Sequence, residues 1–250
     1  MGPHVPSWLE GSLLEILRRN LSIGPRAACQ ILWLCPTGHR PDRIGTFGNR
    51  FDDPDATYRV LYASSQRLGC FLETLARFRI DPKLAAELAA IEEEEDYFPL
   101  GGAPLEWLQK RILGVATAGG ECADICSSEW ISRLRKSLAA HLSRFAVEDM
   151  DAAVLQKTAP RMQTQFVSRI VFYAGFSGIH DLSKYGHDIE NWALSEPFQI
   201  DVRDPETVRV EDPVPFTHLG DCARVADSGE LGPPCCGRNL FWHCEAADSN

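Results

Sequence analysis

The chain has 250 residues and carries 35 acidic against 25 basic side chains, which gives a formal net charge of −10 at pH 7. This length suits one large domain with extensions or two small domains. An acidic chain without a basic cluster argues against direct nucleic-acid binding and against attraction to anionic membranes, but a dinucleotide needs only one or two well-placed arginines.

The cysteines and the apolar segments indicate a cellular compartment. Nine cysteines are scattered along the chain without a disulfide framework. The first residues lack the charged start and long apolar core of a signal peptide, and the apolar stretches are shorter than the ~18 residues of a membrane-spanning helix. We therefore expect a protein with reduced cysteines in the cytoplasm.

The N-terminal part of the chain predicts helices. Residues 7–19 begin with a capping-box spacing and continue with apolar residues at helical intervals. A second apolar segment follows at residues 27–34. We assign residues 1–39 to an N-terminal helical extension, and the Gly-, Pro- and Arg-rich residues after them to a loop that leads into Arg50.

The segment 48–78 combines a loop, a strand and a helix that carry three candidate functional side chains. Arg50 lies in the loop, and a run rich in valine, leucine and tyrosine predicts a short strand over residues 58–62. Two serines then offer N-caps for a helix with regularly spaced apolar residues, namely Ser64 and Ser65, then Leu68, Phe71, Leu72 and Leu75. Glu73 lies inside this helix beside its apolar stripe, where a core carboxylate is unusual. We expect Arg50, Tyr62 and Glu73 to converge on one site.

Amphipathic patterns and short apolar runs predict the elements of the remaining chain. Helices are predicted from Asp81, from Ser127 or Ser128 to Leu142, and over residues 162–176; strands are predicted near residues 112–115, 178–182 and 192–194, with connections at 149–155 and 184–190.

Two polar regions are assigned to irregular structure. His187, Asp188 and Asn191 are interpreted as loop residues, because they lack a partner cluster for catalysis or metal binding. Prolines and glycines without hydrophobic periodicity predict an irregular or disordered tail over residues 206–250. The cysteine and histidine spacings fit no paired-ligand pattern, so no metal site is predicted.

Two separated blocks of the sequence resemble the RES domain family. The first is NRFDDP…LYAS…FLET, within residues 49–74, and the second is AGFSGIHDLSKYGHDIENWALSEP, residues 174–197. The resemblance implies a catalytic domain over residues 40–205. It also implies an α+β fold with a mixed, mostly antiparallel sheet flanked by helices, related to the fold of ADP-ribosylating toxins. The chain departs from the family at His180 and Asp181, where an arginine–aromatic pair is common.

The same resemblance implies roles for particular residues in binding and cleaving NAD. Arg50, assisted by Arg43, would hold phosphate, because a guanidinium matches two phosphate oxygens at once. Tyr62 would face the nicotinamide or its ribose, and Ser183 would orient the substrate or the acceptor. Glu73 would stabilise the oxocarbenium-like state formed when nicotinamide leaves, since a fixed carboxylate favours that positive charge.

The function implied is release of nicotinamide from NAD by phosphorolysis or hydrolysis. NAD would be the substrate, inorganic phosphate a possible co-substrate, and no cofactor would be required. The protein would be a toxin neutralised by a separate antitoxin protein. Two alternatives stay open: ADP-ribosyl transfer to a protein target, and a non-catalytic RES-like domain that binds a nucleotide or a partner.

Overall fold

The computed structural model describes residues 29–36, 48–79, 111–142, 149–156, 161–196 and 199–202, together with residues 81, 83, 86, 87, 206 and 207. Eight strands are present in this part of the chain: β1 (Cys29–Pro36), β2 (Val60–Ser64), β3 (Arg111–Gly119), β4 (Cys122–Asp124), β5 (Gly178–Ser183), β6 (Gly186–Ser195), β7 (Gln199–Val202) and β8 (Glu206–Thr207). The helices are α1 (Arg67–Leu75), α2 (Ser128–Leu142), α3 (Ala152–Gln156) and α4 (Met162–Tyr173), and a 3-10 turn, Ala76–Phe78, follows α1.

The strands form one mixed sheet in the order β4-β5-β6-β2-β1-β3-β7, and β8 also pairs with β3. Neighbouring strands are antiparallel except for β4 and β5, which are parallel. Helices pack against this sheet, so the predicted α+β class with a mixed, mostly antiparallel sheet is confirmed. The predicted relation to ADP-ribosylating toxins is a finer statement, and it stays a prediction.

The predicted N-terminal helical extension is wrong for residues 29–36. Strand β1 lies between β2 and β3, and all eight of its residues pair with β3 from Cys29 to Pro36. A short continuous apolar run suits either a helix or a strand, because periodicity cannot separate the two. The domain predicted over residues 40–205 therefore includes chain before residue 40, and residues 1–28 lie outside the described part.

The predicted tail also begins inside the sheet. Glu206 and Thr207 form β8, and they pair with Leu113 and Ile112 of β3. The irregular assignment is thus wrong for these two residues. The remaining residues, 208–250, lie outside the described part of the chain.

Two predicted connections are regular structure. Strand β6 begins at Gly186, so the predicted loop at 184–190 reduces to a turn at Lys184 and Tyr185. The exposed polar residues that suggested a loop, His187 and Asp188, lie on this strand. The predicted connection at 149–155 contains α3, where the Asp151 carboxylate accepts a hydrogen bond from Val154 N at 2.7 Å and caps the helix.

The helices around the sheet start and end close to their predicted positions. The Ser127 hydroxyl accepts a hydrogen bond from Trp130 N at 3.3 Å, which confirms the predicted cap of α2. Helix α4 occupies most of the predicted range 162–176. The predicted serine caps of α1 are wrong, because its N-cap is Gln66 and makes no side-chain cap.

The register of three strands places the polar side chains of interest on one face of the sheet. Tyr62 pairs with Ala193, and Asn191 pairs with Asp181. Residues two apart on a strand share a face, so Tyr62, Asn191 and Asp181 point to the same side. The main core lies on this side, since it contains Ala193 and Ile179 together with buried residues of α2, α3 and α4.

Helix α1 packs closely on the sheet through Gly69. A Cβ atom at this position would lie 2.1 Å from Ser64 Oγ and 2.8 Å from Ile189 Cγ2. Ser64 cannot turn away freely, because its hydroxyl donates a hydrogen bond to Glu190 O at 2.7 Å. The glycine therefore sets the approach of α1 to β2 and β6.

We predict that Gly69→Ala lowers the free energy of unfolding by about 1 kcal/mol. Alanine favours a helix by about 1 kcal/mol over glycine, but overpacking a close contact costs about 1–3 kcal/mol, so the clash outweighs the propensity. The measurement is denaturant unfolding of both proteins. Gly119→Ala is the matched control, because among the described residues no atom other than those of its chain neighbours lies within 4 Å of a Cβ there. A Gly69→Ala protein more stable than wild type would contradict the close packing.

Candidate functional site

Glu73 of α1 is held by the β5–β6 hairpin. Its Oε1 atom accepts a hydrogen bond from Ser183 Oγ and another from Asn191 Nδ2, both at 2.8 Å. Ser183 ends β5 and is buried, while Asn191 lies on the neighbouring strand β6. No hydrogen bond to Oε2 comes from the residues that the structure describes, and Glu73 itself is exposed. One carboxylate oxygen is therefore fixed, and the carboxylate is accessible to a ligand.

Arg50 lies beside Glu73 and forms an ion pair with Asp181. The Arg50 guanidinium contacts the Asp181 carboxylate, whose side chain is 3% exposed. Cys126 Sγ donates a hydrogen bond to the other oxygen of Asp181 at 2.9 Å. The Arg50 guanidinium also lies 4.5 Å from the centre of the Phe51 ring. Arg50 is thus already paired with a carboxylate in the ligand-free protein.

Tyr62 holds the turn that carries Arg50. Its hydroxyl donates a hydrogen bond to Asp52 Oδ1 at 2.9 Å and accepts one from Phe51 N at 2.8 Å. Asp52 in turn accepts a hydrogen bond from Asn49 N at 2.7 Å through its other oxygen. The Tyr62 hydroxyl therefore both donates and accepts a hydrogen bond within the protein.

Helix α4 fixes the same turn from its other side. Arg161, at the start of the helix, donates to Gly48 O, and Gln165 donates to Asn49 O at 3.1 Å. Ser168 Oγ donates to Phe51 O at 2.6 Å. Backbone carbonyls within the turn thus accept hydrogen bonds from side chains spaced along one helix. The turn is therefore attached to α4 through three of its carbonyl groups, and this attachment fixes the position of Arg50.

Burial shifts the pKa values of two residues in the site. It lowers the pKa of the Arg50 guanidinium, and the nearby Glu73 carboxylate acts in the opposite direction. Burial, together with the Asp52 carboxylate, raises the pKa of Tyr62 well above its usual value. Tyr62 therefore stays protonated at neutral pH and acts as a hydrogen-bond donor to Asp52.

The structure brings together four of the five residues that the sequence singled out. Glu73 and Ser183 are in direct contact, and Arg50 interacts electrostatically with both Glu73 and Tyr62. The fifth residue, Arg43, lies outside the described part of the chain. The roles assigned to these residues in binding NAD stay predictions.

Three neighbours of the predicted residues were missed by the sequence analysis. Asn191 was assigned to a loop, but it lies on β6 and binds Glu73. Asp181 was noted only as a departure from the family pattern, and Cys126 was not considered. The alternation of β5 signals the inward position of Asp181, since Ile179 two residues earlier is apolar and buried.

His180 lies on the other face of the sheet and does not join the site. Its ring nitrogens are 3.3 Å from an Asp124 oxygen and 3.6 Å from a Glu190 oxygen. Among the described residues, no group of three or more histidine, cysteine or acidic side chains is arranged to hold a metal ion. In the same part of the chain, no helix has the length and hydropathy needed to span a membrane.

Comparisons with known proteins give a likeness among solved structures. No protein-family model matches the chain, and no curated protein matches it. Among solved structures, the chain is similar to the crystal structure of the M. tuberculosis MbcT–MbcA toxin–antitoxin complex, with 12% sequence identity and a TM-score of 0.48. The alignment covers 87% of this chain and 98% of that chain.

Proposed function

We propose that the protein is an NAD-consuming enzyme that releases nicotinamide by cleaving its bond to the ribose. Phosphate or water would then accept the ADP-ribosyl group. Glu73 is the catalytic residue in this proposal. Arg50, Tyr62 and Asp181 build the adjoining wall of the site, and Ser183 and Asn191 are positioning residues.

One observation carries the proposal: an accessible carboxylate with one oxygen fixed by two hydrogen bonds. Ser183 and Asn191 hold Oε1 of Glu73 from neighbouring strands. Cleaving an N-glycosidic bond develops positive charge on the ribose, and a carboxylate already in place stabilises that charge without reorganising. Nicotinamide leaves as a neutral molecule, so that a second carboxylate acting as a general acid is not required.

The pairing of Arg50 supports this role for Glu73. A free cation next to the carboxylate would oppose the stabilisation of a second cation on the substrate. Asp181 contacts the Arg50 guanidinium and offsets its charge, so Arg50 does not cancel the charge of Glu73. Arg50 with Asp181 is locally neutral, and Glu73 contributes the net negative charge.

The departure from the family pattern at Asp181, which forms this ion pair, keeps open a second candidate function, binding of a nucleotide or a partner without turnover. Arg50 was predicted to hold phosphate, and in the structure its guanidinium already contacts a carboxylate. An anionic ligand would have to compete with Asp181 for it. The two candidates differ in one property, since only the enzyme depends on the charge of Glu73 for turnover.

We further propose that this activity makes the protein a toxin of a toxin–antitoxin pair. The resemblance of its two sequence blocks to the RES family supports this assignment. An enzyme that consumes NAD would deplete a common cofactor, so a separate antitoxin protein would have to restrain it in the cell.

We predict that Glu73→Gln lowers the rate of nicotinamide release about 10²–10³-fold, the usual effect of losing one preorganised electrostatic group. The amide keeps the size and the hydrogen-bonding oxygen but not the charge, so binding of NAD should change little. Product release and NAD binding would be measured on both proteins. Glu129→Gln is the matched control, because Glu129 is an exposed glutamate on α2.

The same comparison distinguishes the candidates. Equal release by wild type and Glu73→Gln would contradict the mechanism. Binding of NAD by the wild type without any release would support the non-catalytic function instead. Products identified with and without inorganic phosphate would assign the acceptor.

We predict that Asn191→Ala lowers kcat about tenfold with little change in KM. A hydrogen bond to a charged group contributes about 1.5–3 kcal/mol, and a loss of about 1.4 kcal/mol in the transition state is a factor of ten in rate. Asn191→Asp should lower kcat further, because it places a like charge beside Glu73. A rise in KM at constant kcat in both variants would show that Asn191 contacts the substrate instead of positioning Glu73.

We predict that expression of the wild type in bacterial cells arrests growth and depletes NAD, whereas expression of Glu73→Gln does neither. The physical reason is that the variant folds but lacks the charge that the reaction needs. Growth and cellular NAD would be followed after induction, with equal protein levels verified. Growth arrest by Glu73→Gln equal to that of wild type would separate the toxicity from this chemistry.

A further inference from the structure

The Arg50 guanidinium already contacts Asp181, so a phosphate group would have to compete with that carboxylate for it. Among the described residues, a second group of cations lies on the segments that follow Glu73 and Ser183 in the chain. Arg79 follows the 3-10 turn after α1, and Lys184 stands at the tip of the β5–β6 hairpin. Both approach the ring of Tyr185: the Arg79 guanidinium carbon is 4.6 Å from its centre and Lys184 Nζ is 5.0 Å from it.

This group of cations is linked to Glu73 through Tyr185 and Ser183. Tyr185 N donates a hydrogen bond to Ser183 Oγ at 3.1 Å, and Ser183 Oγ donates to Glu73 Oε1 at 2.8 Å. Glu73 and Arg79 lie on α1 and the segment after it, and their partners Ser183 and Tyr185 lie on the β5–β6 hairpin. Both contacts therefore join the same two segments of the chain. A ribose at Glu73 carries its 5′-phosphate only one methylene group away from the ring, within the same region of the surface.

Arg79 has an unused hydrogen-bond donor. Its Nη2 atom is buried, and it makes no hydrogen bond with the described residues. Leaving a charged N–H group buried without an acceptor costs free energy, and a phosphate oxygen is a strong acceptor for a guanidinium. The contact with the Tyr185 ring holds the Arg79 guanidinium in place.

Resting on the proposed function, we propose that Arg79 and Lys184 around Tyr185 form a phosphate-binding subsite beside Glu73. The ligand chemistry is a phosphate group, and two sources would supply it: the pyrophosphate of the dinucleotide, and inorganic phosphate acting as the acceptor. Arg50, held by Asp181, then shapes the site around Glu73, and Arg79 supplies the phosphate contact that the sequence analysis assigned to Arg50.

We predict that Arg79→Gln raises KM for NAD, or the half-saturating concentration of inorganic phosphate, about tenfold to a hundredfold. This range corresponds to losing one charge-assisted hydrogen bond. Cleavage of nicotinamide riboside, which has no phosphate, should be unchanged when water is the acceptor. A change for NAD assigns the subsite to the pyrophosphate, and a change for inorganic phosphate assigns it to the acceptor.

Two variants control this experiment. Arg79→Lys keeps the charge but loses the fork of donors and should be intermediate. Arg133→Gln removes an arginine from an exposed ion pair on α2 and should have no effect. Equal loss of NAD and riboside cleavage in Arg79→Gln would assign Arg79 a structural role and overturn the subsite.

Binding separates this inference from the proposed function. If the wild type releases no nicotinamide, ADP-ribose and inorganic phosphate would each be titrated by calorimetry against wild type and Arg79→Gln. Binding of either one that weakens about tenfold or more in the variant supports the subsite even without catalysis. Equal affinities for both, or no binding of either by wild type, would overturn it.

Discussion

The site depends on the register of one antiparallel ladder, formed by β2, β6 and β5. Tyr62 opposes Ala193, and Asn191 opposes Asp181, so that the hydroxyl, the amide and the carboxylate share a face. Side chains alternate along a strand, and a slip of one residue would turn each of them to the opposite side. The ladder therefore defines which polar groups meet Glu73, and the apolar Ala193 and Ile179 of the same face fix the register by their place in the core.

Two carboxylates in the described part of the site are held by neighbouring groups. Asp181 pairs with Arg50, and Asp52 receives hydrogen bonds from Tyr62 and Asn49. A buried ion pair is weak evidence for stability, because desolvation offsets much of its attraction. Here the pair has a different consequence, since it leaves the accessible carboxylate of Glu73 as the group whose charge a ligand meets.

The sequence predicted most of the site but less of the sheet. Periodicity and capping located α2 and α4, and family resemblance selected Arg50, Tyr62, Glu73 and Ser183, which the fold brings together. Strand β1 was mistaken for part of a helical region, because its apolar run has no strand period and its partners are distant in sequence. Asn191 was mistaken for a loop residue, because in the sequence a run of polar residues on a strand resembles the polar residues of a turn.

The turn that carries Arg50 is attached to α4, and this attachment determines when the turn loses its conformational entropy. Arg161, Gln165 and Ser168 bind three carbonyl oxygens of the turn, those of Gly48, Asn49 and Phe51, so its shape is fixed during folding. In the proposed function, binding would then avoid the cost of ordering a loop, which otherwise weakens affinity. Helix α4 would thus raise ligand affinity through preorganisation of the turn, although its residues act on the backbone.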